Sequence, residues 1–291
     1  MPLNATTKLL FIINPLSGKS KSNWCTEITN YFQSLPYTFI FFTIPKGCAS
    51  QTIQQQITNF SPQVVVAVGG DGTIKLVAEC IMRTNIALGI LPAGSANGLA
   101  KELGISNQPQ QALHTIINGK VREIHVTEIN KHICIHLSDI GFNAYVVKLF
   151  EIQQGRGMWG YFVATFKALF NIPLLKVLMQ LDDKRQYVKA ALIVIANGTK
   201  YGSGALINPI GTLSDALFEV VAVKKISIIE VFKMMVSHSA YNVSKTEVFQ
   251  TNNVTITSKH KMHFQIDGEY LGKVNTITAR LIPRALQVIV G

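Results

Sequence analysis

V-V-V-A-V-G-G-D-G-T, residues Val64 to Thr73, begins as an unbroken apolar, β-branched run and ends in glycines. Such a run predicts a strand buried on both faces, and glycines permit backbone conformations closed to other residues. Ile74 to Met82 (I-K-L-V-A-E-C-I-M) then carries apolar residues at helical spacing. The loop therefore lies between a strand's carboxyl end and a helix N-terminus, where free N–H groups and the helix dipole favour an anion. Asp71 is unexpected there, because its charge repels phosphate unless a cation intervenes. It reads as a carboxylate that positions magnesium or nucleotide. The alternative is an ordinary tight turn with Asp71 and Gly72 as turn formers. Neither a Walker A sequence nor G-x-G-x-x-G matches here.

Outward from this stretch, strands and helices alternate. Lys8 to Ile13 predicts a first strand, and Asn14-Pro-Leu-Ser-Gly18 turns out of it toward a helix near Asn23 to Gln33. Tyr37 to Ile44 predicts a second strand, Ala49 to Thr58 a short helix, and Ile86 to Leu91 a fourth strand after the central one. This half reads as an α/β layer with a mainly parallel sheet, whose ligands lie beyond the strands' carboxyl ends. Asn14, Thr43, Gly69, Gly70, Asp71, Gly72 and Thr73 all fall on that edge. The next loop, Leu91-Pro-Ala-Gly-Ser-Ala-Asn-Gly-Leu-Ala100, falls there too. In it Ser95 can cap the following helix, with Asn97 near the first turn.

After a helix at Pro109 to Asn118 the pattern changes to short strands. These are Val121 to Ile129, Ile133 to Ser138, Val188 to Ala196, Phe218 to Val223, Asn253 to Ser258, Lys261 to Ile266 and Asn275 to Leu281. They predict an antiparallel β layer, with Ala285 to Val290 as a candidate return to the first domain.

The composition bounds the function. The chain has 291 residues, of which 48% are hydrophobic, enough for one large domain or two ordinary ones. A net charge of +11 with a pI near 9.5 implies an anionic partner, either nucleotide phosphates, an anionic membrane surface or nucleic acid, or else serves solubility alone. Lys and Arg are scattered and no nucleic-acid motif is present, so nucleic acid ranks last. Cys25, Cys48, Cys80 and Cys134 lie far apart without metal-ligand spacing, and Met1 to Leu10 does not read as a signal peptide. Reduced thiols in a cytoplasmic protein are the expectation. The most apolar stretch, Met158 to Met179, is interrupted by Lys167, Pro173 and Lys176, which argues against a membrane span.

G-G-D-G-T after a buried strand, N-P-x-S-G-K at Asn14 to Lys19 and P-A-G-S-A-N at Pro92 to Asn97 together resemble the diacylglycerol kinase and sphingosine kinase superfamily, which shares its nucleotide loop with NAD kinases. The resemblance implies an N-terminal α/β nucleotide-binding domain over 1–128, with 282–291 as its candidate completion. It also implies a C-terminal β-sandwich over 129–281, with the active site in the cleft between the two. It brings Asn14, Ser17, Gly18, Thr43, Ser95 and Asn97 to the nucleotide site beside Gly69 to Thr73. Asp139-Ile-Gly-Phe-Asn-Ala144 resembles a G-x-G-F-[DN]-A turn of the family. Asn208 to Glu219 resembles the segment where bacterial lipid kinases hold magnesium, which implies Asp215 with the carbonyls of Thr212 and Leu217. Phe264-Gln-Ile-Asp-Gly-Glu-Tyr270 is a hairpin tip in bare chemistry, and in the family its glutamate, here Glu269, is the proposed general base.

The match is incomplete. Gly98 and His125 stand where bacterial diacylglycerol kinases commonly have Asp, and Lys75 and His136 stand where Asn is usual. Tyr145-Val-Val147 replaces the neighbourhood from which sphingosine kinases read a lipid amine, which favours a lipid with a plain hydroxyl head. The expected function is that of an ATP- and magnesium-dependent lipid kinase acting peripherally at an anionic membrane, with Glu269 and Asp71 as its catalytic carboxylates. The alternatives are a kinase of a soluble substrate such as NAD, or a lipid- or nucleotide-binding protein without catalysis. Met158 to Phe170, with aromatics recurring at helical spacing, is expected to be either core or an acyl-chain entrance.

Overall fold

The computed structural model describes residues 6–17, 23–47, 49–152, 174–182, 184–200, 206–226 and 243–291. Gly18, Lys19, Cys48 and the stretch Met158 to Phe170 lie outside them. The chain divides into two units, Met1–Ile124 with Arg284–Gly291 and His125–Pro283.

In the first unit the strands are β1 (Lys8–Ile13), β2 (Thr38–Thr43), β3 (Val64–Gly69) and β4 (Ala87–Pro92). They pair in parallel in the order β2-β1-β3-β4. Between them run α1 (Trp24–Phe32), α2 (Ser50–Phe60) and α3 (Asp71–Ile81), followed by α4 (Gly98–Glu102) and α5 (Pro109–Asn118). Every residue of β3 and β4 is buried, as expected for parallel strands covered on both faces. Ile74, Val77, Ala78 and Ile81 form the buried stripe of α3, the spacing a helix needs to present one apolar face. On β1, Phe11 packs edge-on against Phe32 of α1, ring centroids 5.6 Å apart, closing the layer at that side. The direction of strand succession reverses between β1 and β3, so their carboxyl ends flank a crevice suited to a ligand. Strand β14 (Glu269–Val290) enters this unit with its last turns of sequence, where Gln287 and Val288 pair in parallel with Ala87 and Leu88 of β4.

The second unit is antiparallel. Its strands are β6 (His132–Cys134), β7 (Leu137–Gly141), β8 (Leu175–Leu181), β9 (Lys184–Ala190), β10 (Leu192–Ala196), β11 (Phe218–Val223), β12 (Thr246–Thr251) and β13 (Asn253–Ile266), with α6 (Phe142–Ile152) after β7. Strand β5 (Lys120–Ile129) carries one unit boundary and β14 the other. The pairing order is β12-β11-β10-β7-β13-β14, with β8 on β13 and β9 on β8. On β10, Ile193 and Ile195 enter one apolar cluster while Leu192, Val194 and Ala196 enter another with Phe142 and Val146 of α6. The strand is thus covered on both faces, by β-strands on one and by α6 on the other. Mixed α/β architecture followed by an antiparallel β-sandwich is the fold class expected from the sequence.

Several element boundaries differ from expectation for identifiable reasons. Ile133 to Ser138 is two strands, because the N–H groups of Ile135, His136 and Leu137 turn to the Asp267 carboxylate. Val188 to Ala196 is also two, broken at Ala191, whose carbonyl accepts from Phe142 N–H and whose N–H donates to Val223. Asn253 to Ser258 and Lys261 to Ile266 are one strand with a register shift between Thr257 and Met262. Strands β8 and β12 and helix α6 were not foreseen, and the expected turn at Asp139 to Ala144 is the junction of β7 and α6. Cys25, Cys80 and Cys134 are free thiols. Among the described residues no helix is long and apolar enough to cross a membrane.

Candidate active site

Three loops of the first unit meet at the carboxyl ends of β1, β3 and β4. Asn14 ties the first to the second. Its N–H donates to the Val68 carbonyl at 3.0 Å and its Nδ2 to Thr73 Oγ1 at 3.0 Å. Its own Oδ1 accepts from Leu16 N–H at 3.0 Å, and Ser17 N–H donates to its carbonyl at 3.2 Å, so the start of the N-P-x-S-G turn is fixed. Ala93 N–H donates to the Gly69 carbonyl at 2.9 Å, joining the second loop to the third. A Cβ at Gly94 would stand 2.5 Å from Gly70 Cα, so the two glycine loops touch backbone to backbone and glycine is needed for that approach. Gly70 is the N-cap of α3 and offers no capping side chain, leaving the first turn open to an anion. Gly72 is exposed, with open space where a Cβ would lie.

Asp71 resolves the oddity of a carboxylate in such a loop. Its Oδ2 accepts from Gly98 N–H at 3.0 Å and its Oδ1 from Leu99 N–H at 3.1 Å. The side chain therefore caps α4 from the first turn of α3, and two amides compensate its charge locally. Asn97 occupies the N-cap position of α4 in a left-handed conformation at φ 52°, but its side chain makes no capping hydrogen bond. Instead Asn97 Oδ1 accepts from Gly94 N–H at 2.9 Å, while its Nδ2 donates to the Gly94 carbonyl at 3.0 Å and to Asn107 Oδ1 at 3.1 Å. It braces the glycine loop. Ser95 is exposed at the loop tip and is not the N-cap, which is Asn97. Thr43 is exposed at the end of β2, in register with Ile13.

Glu269, in the second unit, is exposed and opens β14 directly after the Asp267-Gly268 turn, opposite Ile266. Behind that turn lies a buried polar chain. Gly268 N–H donates to Gln265 Oε1 at 2.8 Å, and Gln265 Nε2 donates to Asp139 Oδ2 at 2.6 Å. Asn143 Nδ2 reaches the same oxygen at 2.7 Å. Beside it, Tyr145, His263 and Tyr270 stack, with 2.7 Å between His263 Nδ1 and the Tyr270 hydroxyl. Burial, with Lys273 and Lys148 nearby, pushes the His263 imidazole down to about 4.

The segment around Asp215 is anchored from below. Asn208 Nδ2 donates to Glu219 Oε2 at 2.6 Å, and Gln250 Nε2 donates to Glu219 Oε1 at 3.0 Å. His125 N–H donates to the Leu213 carbonyl at 2.8 Å, and Asn197 Nδ2 bridges the carbonyls of His125 and Ile135. Both histidines that stand at polar family positions thus belong to backbone cross-links of the sandwich. Thr212 and Leu217 flank Asp215 and are half-buried, and the buried Oδ1 of Asp215 has no hydrogen-bond partner among the described residues. Among the described residues no cluster of three or more His, Cys, Asp or Glu side chains could hold a metal by itself.

Residues 8–129 match the diacylglycerol kinase catalytic domain, and residues 139–290 match the YegS C-terminal NAD kinase beta sandwich-like domain. The chain belongs to the diacylglycerol kinase family. A Chromohalobacter salexigens protein named "Probable lipid kinase YegS-like" is 28% identical over 232 residues, 76% of this chain and 74% of that one. A Bacillus subtilis diacylglycerol kinase is 24% identical over 273 residues, 90% of this chain and 89% of its own. The crystal structure of a diacylglycerol kinase from Bacillus anthracis superposes with a TM-score of 0.73, covering 98% of this chain and 97% of that one at 18% identity. That likeness is one of fold. Family membership gives a kinase of the lipid kinase type.

Two groups were not singled out from the sequence, namely Asp267 with Gln265, and Asn197 with Asn208 and Glu219. Each is polar and buried or half-buried, and all but Asn197 lie inside stretches that carry the family resemblance, which was the available signal.

Proposed function

We propose that this protein is an ATP-dependent lipid kinase that moves the γ-phosphoryl group onto a lipid hydroxyl. The observation that carries the reading is the pair of glycine loops locked against each other beside the N-terminus of α3, whose N-cap, Gly70, has no side chain to cap it. Backbone amides so arranged suit phosphates, and phosphoryl transfer needs positioning and charge neutralisation more than covalent chemistry. In this reading the first turn of α3 and the backbone around Gly94 and Ser95 hold the phosphates. Asn14, Ser17, Thr43 and Asn97 shape the rim, and Asp71 fixes the geometry by holding α4 to the loop. Glu269 accepts the proton of the attacking hydroxyl.

A hard cation suits the oxygen donors around Asp215, and the buried Oδ1, without a partner among the described residues, supports a site there. Magnesium held by Asp215 with the Thr212 and Leu217 carbonyls, completed by water, would supply the charge neutralisation this chemistry needs. On α6, Val146 and Val147 are buried and Tyr145 stacks on His263, so that position offers no carboxylate to an amine. This favours an uncharged hydroxyl head, as in diacylglycerol, over sphingosine.

Incubation of the protein with γ-labelled ATP and a mixed lipid extract is the test. Labelled lipid that disappears on chelation of divalent ions is the expected result. Absence of labelled lipid with every nucleotide and divalent ion would remove the reading. Preferential labelling of NAD would move it to a soluble-substrate kinase, and nucleotide binding without transfer to a non-catalytic protein.

A further inference from the structure

The D-G-E hairpin holds a second carboxylate whose surroundings go beyond turn chemistry. A two-residue hairpin of type I′ needs φ > 0 at both central positions, and Asp267 at 50° and Gly268 at 87° supply it. Asn-Gly would serve that turn equally well, so conformation alone does not call for a charge. The charge has a different use. Asp267 Oδ1 accepts from His136 N–H at 3.0 Å and Leu137 N–H at 3.2 Å, and Oδ2 accepts from Ile135 N–H at 3.2 Å. Three successive amides converge on one carboxylate, an anion nest filled by a side chain of the protein itself. Asp267 N–H returns a bond to the Leu137 carbonyl at 2.8 Å.

The rest of the turn is held as firmly. Gly268 hangs on Gln265, Gln265 on Asp139, and Ser138 Oγ donates to the Gln265 carbonyl at 2.7 Å. Ser138, Asp139 and Gln265 are all buried. On the far side of Glu269, Tyr270 N–H donates to Glu151 Oε1 at 3.1 Å. The backbone on both sides of Glu269 is therefore fixed, whereas its own side chain is exposed and no hydrogen bond to it is found among the described residues.

We propose that Asp267 is a positioning residue for Glu269, its carboxylate pinning the hairpin to the β6–β7 connection so that Glu269 is presented in one place. This rests on the reading of Glu269 as the base. Misplacing a reacting group by about 1 Å can lower a rate on the order of 10²-fold, so loss of the anchor shows in turnover rather than in nucleotide affinity.

The test is a double-mutant cycle in the full-length protein, with kcat for lipid phosphorylation and KM for ATP measured in each variant. Asp267→Gly keeps the positive φ and removes the anchor. It is expected to lower kcat by about 10–10²-fold, leave KM for ATP unchanged, and speed amide exchange at Ile135, His136 and Leu137. Asp267→Asn retains one acceptor oxygen, falls between, and replaces the glycine variant in the cycle if that variant does not fold. In a Glu269→Gln background either substitution should lower kcat by less than about twofold, because the group it positions is gone. An equal loss in both backgrounds, or wild-type kcat in Asp267→Gly, overturns the proposal. Wild-type kcat in Glu269→Gln alone instead overturns the assignment of the base, and the positioning role with it.

Discussion

Asp71 and His263 make opposite uses of partial burial. The Asp71 carboxylate bonds the Gly98 and Leu99 amides at once, and both oxygens are needed for that. Asp71→Asn leaves one of these N–H groups facing an amide NH₂, so a loss of about 1–3 kcal/mol of stability is expected. It should appear as a lower urea midpoint at unchanged slope, together with a raised KM for ATP. For His263 the folded state disfavours the proton, chiefly through burial, with Lys273 and Lys148 adding to it. Between pH 6.5 and about 4 the unfolded chain therefore binds more protons at this site than the folded one does. This contribution to stability is intact above pH 6.5 and is lost as pH falls through that window. Wild type should lose more of its urea midpoint between pH 7 and pH 5 than His263→Gln does, and equal losses would show that His263 is not the group responsible. Asp71 drew notice in the sequence because a carboxylate is out of place beside phosphate. Asp267 drew none, because D-G before a strand satisfies turn chemistry completely and its nest comes from a segment about 130 residues away.

Contact between the two glycine loops sets the geometry of the proposed nucleotide-binding edge. Gly94→Ala would place a methyl 2.5 Å from Gly70 Cα, with backbone rather than a flexible side chain in its way. The loops must separate, with an expected destabilisation of about 1–3 kcal/mol and a raised KM for ATP. Calorimetry and nucleotide titration of the variant would show both, and unchanged ATP affinity would mean that the loops do not form one binding surface. The strands of the first unit were legible because continuous apolar runs end at glycine, proline or asparagine. Helix α6 was not, since Gly141, with φ 99°, is its only punctuation and Phe142 to Phe150 is apolar almost throughout, without a polar face to mark a helical period. Strand β13 was read as two with Lys259-His260 between them, yet Lys259 to Lys261 run on as exposed strand where the register shifts. Strand β12, T-E-V-F-Q-T, alternates too weakly in polarity to stand out from its surroundings.

For the molecule as a whole, a net charge of +11 should matter to a kinase of lipids. Co-sedimentation with vesicles containing anionic lipid is expected to exceed that with zwitterionic vesicles and to fall as ionic strength rises from about 0.01 M to 1 M, over which the Debye length shrinks from about 30 to 3 Å. Salt-independent binding would point to apolar insertion instead. The division into an α/β and an antiparallel half was legible from the change of strand pattern after Asn118. Ala285 to Val290 read as a candidate return to the first domain, but its pairing with β4 was not legible, because pairing at such separation leaves no local trace. This pairing also has a consequence for biosynthesis. The ribosome delivers β4 early, but the segment that covers its edge emerges only after residues 125–283. At about 5–20 residues per second that interval is roughly 10–30 s, during which an apolar parallel strand has an open edge. The α/β half, although encoded first, is therefore finished last, and a stalled or shortened nascent chain would present a ready site for misassembly with its neighbours on the same messenger.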